Sequence, residues 1–306
     1  VTLSRRAFLK SSAALAAVAG CAPGLAASGG ASADPMDRIA LTTVTFRFRF
    51  AQTRPADYAG TDPLMTLPEF PAYVRDRFGV RNVELWSQHV DSTEAGHLAE
   101  IRRAVERAGS RVVNLQMDQP YNLASSDEDE RQASVDLVSE WVDVARAVGS
   151  PSIRANAGTG TIETAVRSLR QVADYADRQG VRLLTENHGG ISTDLGVLLQ
   201  ILDALDGDAR AVADFGNFPD GTDRFDALAR LIPYTDLISA KTLLFDDGGE
   251  HMSFDFDRCV RTAEAAGFQG IYSGEQWDPS TDPLDAEAIA EWMVAHLRTS
   301  LLAARG

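Results

Sequence analysis

Cysteine is nearly absent from this chain: Cys21 and Cys259 are the only two among 306 residues. If the N-terminal segment is removed, Cys259 has no partner, so an internal disulfide framework is excluded. Its surroundings, "FDFDRCVRTAEAAGF", have the period of an amphipathic helix, in which a lone thiol reads as a small buried hydrophobe. Lysine is equally scarce, with Lys10 and Lys241 alone, so arginine supplies nearly all of the positive charge. Acids outnumber bases 44 to 29, for a net charge of −15, and such a body repels nucleic acid. No further run of about 20 apolar residues follows the first segment, which excludes a spanning helix there. A glycine-rich phosphate loop is missing after the first strand-like run, where "TFRFRFAQTRP" stands instead.

What is present begins with "SRRAFLKSSAALAAVAGCAPG". Ser4, Arg5, Arg6, Phe8, Leu9 and Lys10 resemble a twin-arginine export signal, followed by an alanine-rich apolar run. Val18-Ala19-Gly20-Cys21 resembles a lipobox, which would leave a lipid on Cys21 as the only membrane attachment; Ala31-Ser32-Ala33 is a competing cleavage site. Residues 1–21 are therefore expected to be signal, 22–38 a Gly/Pro/Ser-rich tether, and 39–306 one folded domain of the cell envelope. Removing Arg5, Arg6 and Lys10 takes the balance from −15 to −18.

From Ile39 onward, short β-branched runs alternate with helical-period segments. The strand candidates are "IALTTVTFRF" (from Ile39), "NVELW" (Asn82), "RVVNLQM" (Arg111), "SIRANA" (Ser152), "RLLTENH" (Arg182), "AVADFG" (Ala211), "LISAKTL" (Leu237) and "GIYSGEQW" (Gly270). Eight β-then-α units in a domain of this length predict an α/β fold, a single (β/α)8 TIM barrel. The long first loop, "RFAQTRPADYAGTDPLMTLPEFP", falls on the active face in this register and is a candidate lid. "SSDEDERQ" reads as an acidic helix start with Ser126 as its cap.

In such barrels the chemistry lies where strands end, and parity shows which side chains share a face. Glu186 and His188 share one in strand five, with Asn187 opposite; Arg154 and Asn156 share one in strand four; Ser239 and Lys241 share one in strand seven. Asp214 ends strand six and Glu275 lies near the end of strand eight. Three acids on one mouth ask for a cation, because buried charge is costly unless paired or metal-bound. Hard oxygen ligands suit Mg²⁺ or Mn²⁺, and an imidazole nearby admits Zn²⁺ or Co²⁺. Arg154, Asn156, His188, Asn217 and Trp277 are candidate substrate contacts, as clamp, hydrogen-bonding groups and stacking ring.

The segments "LLTENHGG", "DFGNF", "SAKTLLFDDGGE" and "AGFQGIYSGEQW", in this order, resemble the xylose isomerase-like barrel superfamily, in particular its sugar phosphate isomerase/epimerase branch. The resemblance runs from about Ile39 to Leu302. It implies a divalent metal held by a Glu, an Asp, a His and a Glu on strands five to eight, here Glu186, Asp214 and Glu275. The strand-seven histidine does not carry over, because Ser239 stands at its position. His251 in the loop "GGEHMSF", water, or the Lys241 ammonium in place of a metal are the alternatives. Glu186 and Glu275 are the expected proton-transfer pair, with a metal or Lys241 stabilising an enediolate.

The leading expectation is thus an isomerase or epimerase of a neutral sugar or keto-sugar. A lyase or dehydratase of a 3-keto-glycoside or inosose-like ring uses the same enolising step. A sugar-binding lipoprotein without catalysis is the reading from another class, supported by the missing strand-seven histidine.

Overall fold

The computed structural model describes residues 34–278 and 285–305. The export signal, the lipobox at Cys21 and the Ala31-Ser32-Ala33 site lie outside these residues. The chain closes into a barrel of eight parallel strands in sequence order, β1 beside β2 and onward until β8 returns to β1. The strands are β1 (Ile39–Thr42), β2 (Asn82–Trp86), β3 (Arg111–Gln116), β4 (Ser152–Arg154), β5 (Arg182–Glu186), β6 (Arg210–Asp214), β7 (Thr235–Thr242) and β8 (Ile271–Gln276). The helices between and after them are α1 (Phe70–Phe78), α2 (Ala95–Arg107), α3 (Glu128–Val148), α4 (Ile162–Gln179), α5 (Leu195–Leu205), α6 (Arg224–Leu231), α7 (Phe256–Ala265) and α8 (Ala286–Ala303). Among the described residues, no helix is long and apolar enough to cross a membrane.

Strand parity sorts the two sides of the barrel wall. Leu183, Ala211, Ala213, Ile238, Ala240 and Tyr272 face outward into the main core beneath the helices. Ala40, Val113, Leu184, Val212 and Leu237 form a separate small apolar cluster, the floor inside the barrel. Polar side chains stand above it: Ser152 Oγ donates to Asn114 Oδ1 (2.7 Å), and Asn114 Nδ2 donates to Glu84 Oε1 (2.8 Å). Charged groups crown the stack at the carboxyl ends of the strands. An apolar floor under a polar mouth excludes passage through the barrel and leaves one accessible face.

Helix capping explains part of the acidic surplus. Asp127, Asp194, Asp223, Asp255 and Asp285 each accept a backbone N–H at a helix start, where a carboxylate also meets the positive end of the dipole. The cap of α3 is Asp127, one residue beyond the expected Ser126; Ser125 instead bonds Glu130 and the Asp127 amide.

Three boundaries differ from the sequence expectation. The first strand stops at Thr42 because the Thr42 hydroxyl caps Val44 and turns the chain into a 3-10 segment, Thr43–Arg49. The folded domain starts earlier than Ile39. Asp34 caps a short turn, Pro35–Arg38, and Arg38 is held by Glu264 at 2.7 Å, so the end of the expected tether belongs to the barrel. Finally, β4 spans only Ser152–Arg154, and Asn156 lies in the loop beyond it.

Candidate active site at the barrel mouth

Strands β4 to β8 each deliver a charged side chain to one level of the mouth: Arg154, Glu186, Asp214, Lys241 and Glu275. All five are at most 6% exposed. Burial at that depth makes each charge depend on its neighbours.

Two clusters result. In the first, Arg154 forms a forked pair with Asp118 (2.8 and 3.2 Å), and its Nε lies 3.3 Å from Glu186 Oε2. Asp118 is fixed from the other side by Trp86 Nε1 at 2.7 Å. In the second, the Lys241 ammonium reaches Glu275 Oε1 (3.1 Å), Asp214 Oδ2 (3.3 Å) and Asn217 Oδ1 (3.1 Å). Gln116 Nε2 donates to the other oxygen of Glu275 at 2.8 Å. The backbone amides of Gly216 and Asn217 donate to Asp214 Oδ1 at 2.6 and 3.0 Å.

These environments drive the two glutamates apart. Burial pushes Glu186 up to about 7, against the Arg154 and Lys241 charges, and its Oε2 makes no hydrogen bond. Burial also disfavours the Glu275 carboxylate, but the Lys241 ammonium and the Gln116 amide outweigh it and hold the group below its ordinary value. Burial raises Asp214, with Lys241 opposing. For Lys241, burial is overcome by Asp214, Glu275 and Glu186, which hold the ammonium charged.

The other candidate contacts are distributed around these clusters. His188 lies beyond β5, its amide bonded to the Glu186 carbonyl (2.9 Å), and burial together with the Arg154 and Lys241 charges lowers the pKa of its imidazole, with Asp118 and Asp214 opposing. The Asn156 Oδ1 and Asn217 Nδ2 atoms are buried without partners, so both amides have unused hydrogen-bonding capacity. Trp277 is 38% exposed at the rim, edge-on to Trp86 with ring centroids 6.2 Å apart, and Arg47 lies over its face. Asn187, opposite in parity as expected, locks β5 to β6 by exchanging two hydrogen bonds with the Asp214 backbone.

His251 is not brought to the acids. It packs among Phe245, Phe254, Phe256 and Trp292, and its Nε2 accepts from the Leu243 amide. The hairpin that pairs Phe245 with His251 turns the imidazole into this aromatic cluster, which argues against its expected role as a metal ligand. The donor set does not fit a divalent ion either. Two of the three acids are engaged by Lys241, Glu186 faces Arg154, and strand seven offers the Ser239 hydroxyl. Among the described residues, no group of three or more His, Cys, Asp or Glu side chains is arranged to hold a metal.

Gln116, Asp118, Arg47 and Glu84 were not among the sequence candidates. Asn114 and Gln116 alternate with apolar neighbours in "RVVNLQM", and that parity marked an inward polar face on β3. Nothing comparable marked Asp118, which lies past the strand end.

A family model for the xylose isomerase-like TIM barrel matches residues 74–299. The chain belongs to that family. Solved structures agree on the fold at low identity. An L-ribulose 3-epimerase superposes with a TM-score of 0.69 at 15% identity, covering 88% of this chain and 95% of its own. The probable 3-DHS dehydratase AsbF from Bacillus anthracis gives 0.63 at 13%, covering 84% and 97%. A family member from Mycobacterium smegmatis in complex with magnesium gives 0.62 at 13%, covering 88% and 98%. No curated protein matches the sequence. The same fold is thus found in an epimerase, a probable dehydratase and a magnesium-bound protein.

Proposed function

We propose that the chain is an isomerase or epimerase that moves a proton on the carbon beside the carbonyl of a sugar or keto-sugar. The carrying observation is that Glu275 and Glu186 stand at one mouth in opposite electrostatic states. Glu275, bonded to Lys241 and Gln116, is the carboxylate that removes a proton. Glu186, pushed up to about 7, holds a proton near neutrality and returns it. Arg154 fixes Glu186, while Asn156, Asn217 and His188 offer polar contacts to sugar hydroxyls. Trp277 supplies a partly exposed ring for a sugar face.

An epimerase among the structural neighbours supports this reading, and so does the family. The acidic chain makes an uncharged substrate the better match. Dehydration is the second reading: the same abstraction, with protonated Glu186 delivering its proton to a departing β-hydroxyl. The dehydratase neighbour makes it concrete. We also propose export, on the twin-arginine-like residues Ser4–Lys10; fractionation of cells carrying Arg5→Lys and Arg6→Lys tests it.

The test is turnover of ketohexoses and 3-keto-glycosides in D2O, read by NMR and mass spectrometry. Deuterium at the carbon beside the carbonyl, with composition otherwise unchanged, is the expected result. Loss of water would replace it with the lyase. Undiminished turnover by Glu186→Gln would remove Glu186 from the chemistry, and sugar binding without exchange would leave a binding protein.

A further inference from the structure

Lys241 is the one lysine of a domain that otherwise uses arginine, and it stands in the middle of the mouth. Its side chain is 6% exposed, and each of its three N–H donors has an acceptor, on Asp214, Asn217 and Glu275. A planar guanidinium could not deliver hydrogens to three such directions from one nitrogen; a tetrahedral ammonium can.

The wall beside it is shaped for this residue. A Cβ at Gly216 would lie 2.7 Å from Lys241 Cδ and 3.1 Å from its Cγ, so a glycine there gives the lysine stem its channel. The same turn sends the Gly216 and Asn217 amides to Asp214 Oδ1, leaving Oδ2 for the ammonium. The Ser239 hydroxyl, one step deeper on β7, is buried and has no partner.

The geometry points to Lys241 as the fixed cation of this mouth, its ammonium filling the place between Asp214 and Glu275 and closing it to a divalent ion. Its exclusion of metal is a property of the resting protein; only its use in holding Glu275 ready rests on the proposed enolising function. A family member has been solved with magnesium, whereas this chain supplies a covalently attached cation between Asp214 and Glu275. A protein built this way works without metal supply and is indifferent to chelators.

The experiment uses the protein purified without chelator. Metal content is measured by elemental analysis, and Mg²⁺, Mn²⁺, Co²⁺ and Zn²⁺ are titrated by calorimetry and thermal shift, for the wild type and for Lys241→Ala. The expected results are substoichiometric metal and an unchanged Tm in the wild type, and a Mn²⁺-dependent rise in Tm in Lys241→Ala. Stoichiometric metal in the wild type, with a Tm that falls on adding EDTA, would overturn the inference whether or not the variant folds. A folded Lys241→Ala that binds no cation would overturn the claim that the ammonium keeps one out. None of these readouts needs a substrate, so failure of the isomerase reading would appear separately, as absent deuterium exchange in a metal-free protein.

Discussion

Gly216 and Lys241 fit each other across the β6–β7 junction: the absent Cβ of the glycine is the space through which the lysine stem passes. Gly216→Ala places a methyl group 2.7 Å from Lys241 Cδ and 3.4 Å from Asp214 Oδ1. The stem cannot swing away cheaply, because its ammonium is held by three acceptors. Overpacking of this kind costs about 1–3 kcal/mol. The displacement falls on the Lys241–Glu275 contact that the proposed proton transfer uses, so kcat/KM is expected to drop on the order of a hundredfold while the fold persists. Steady-state kinetics beside a thermal melt checks this, and unchanged kinetics would show that Lys241 does not need its present position.

Arg154 holds two carboxylates in place. Its fork reaches Asp118, and its Nε faces Glu186. Removing one member of a fully buried ion pair costs about 3–5 kcal/mol, and less is expected here because the Asp118 side chain is 33% exposed and water compensates part of its charge. Arg154→Met should therefore lower the urea midpoint by a corresponding amount, and adding Asp118→Asn should recover part of the loss. A double-mutant cycle measures the coupling. Strict additivity would show that the guanidinium and Asp118 act independently.

The barrel and the three acids were legible because both follow from periodicity. Eight strand-like runs separated by amphipathic helices leave few topologies, and a parity of two puts Glu186, Asp214 and Glu275 on the inner face. Strand ends were less legible, since the Thr42 hydroxyl that stops β1 acts through one local hydrogen bond. Asp118 was invisible because its role comes from Arg154 and Trp86, which are distant in sequence. His251 was misplaced for the related reason that proximity to a strand end does not fix the direction of a loop side chain. The aromatic cluster that captures it draws on the β7–α7 loop, α7 and α8.

Glu84 provides a pH test inside the barrel, away from the mouth. It is buried, accepts from Asn114 Nδ2, and its other oxygen has no hydrogen bond. Burial raises it from 4.5 to about 7, with the Asn114 and Ser273 contacts opposing. A folded-state value above the unfolded one means that the native state binds the extra proton between these two pH values. Its contribution to stability is full below 4.5 and is lost as pH rises through about 7. Glu84→Gln keeps an acceptor for Asn114 and carries no titrating proton. Relative to the wild type it should gain stability steadily from pH 5 to pH 7 and level off above, by up to about 3 kcal/mol. Urea midpoints of both proteins across that range measure the difference. A constant difference would mean that Glu84 titrates alike in the folded and unfolded chains, with water reaching the barrel interior.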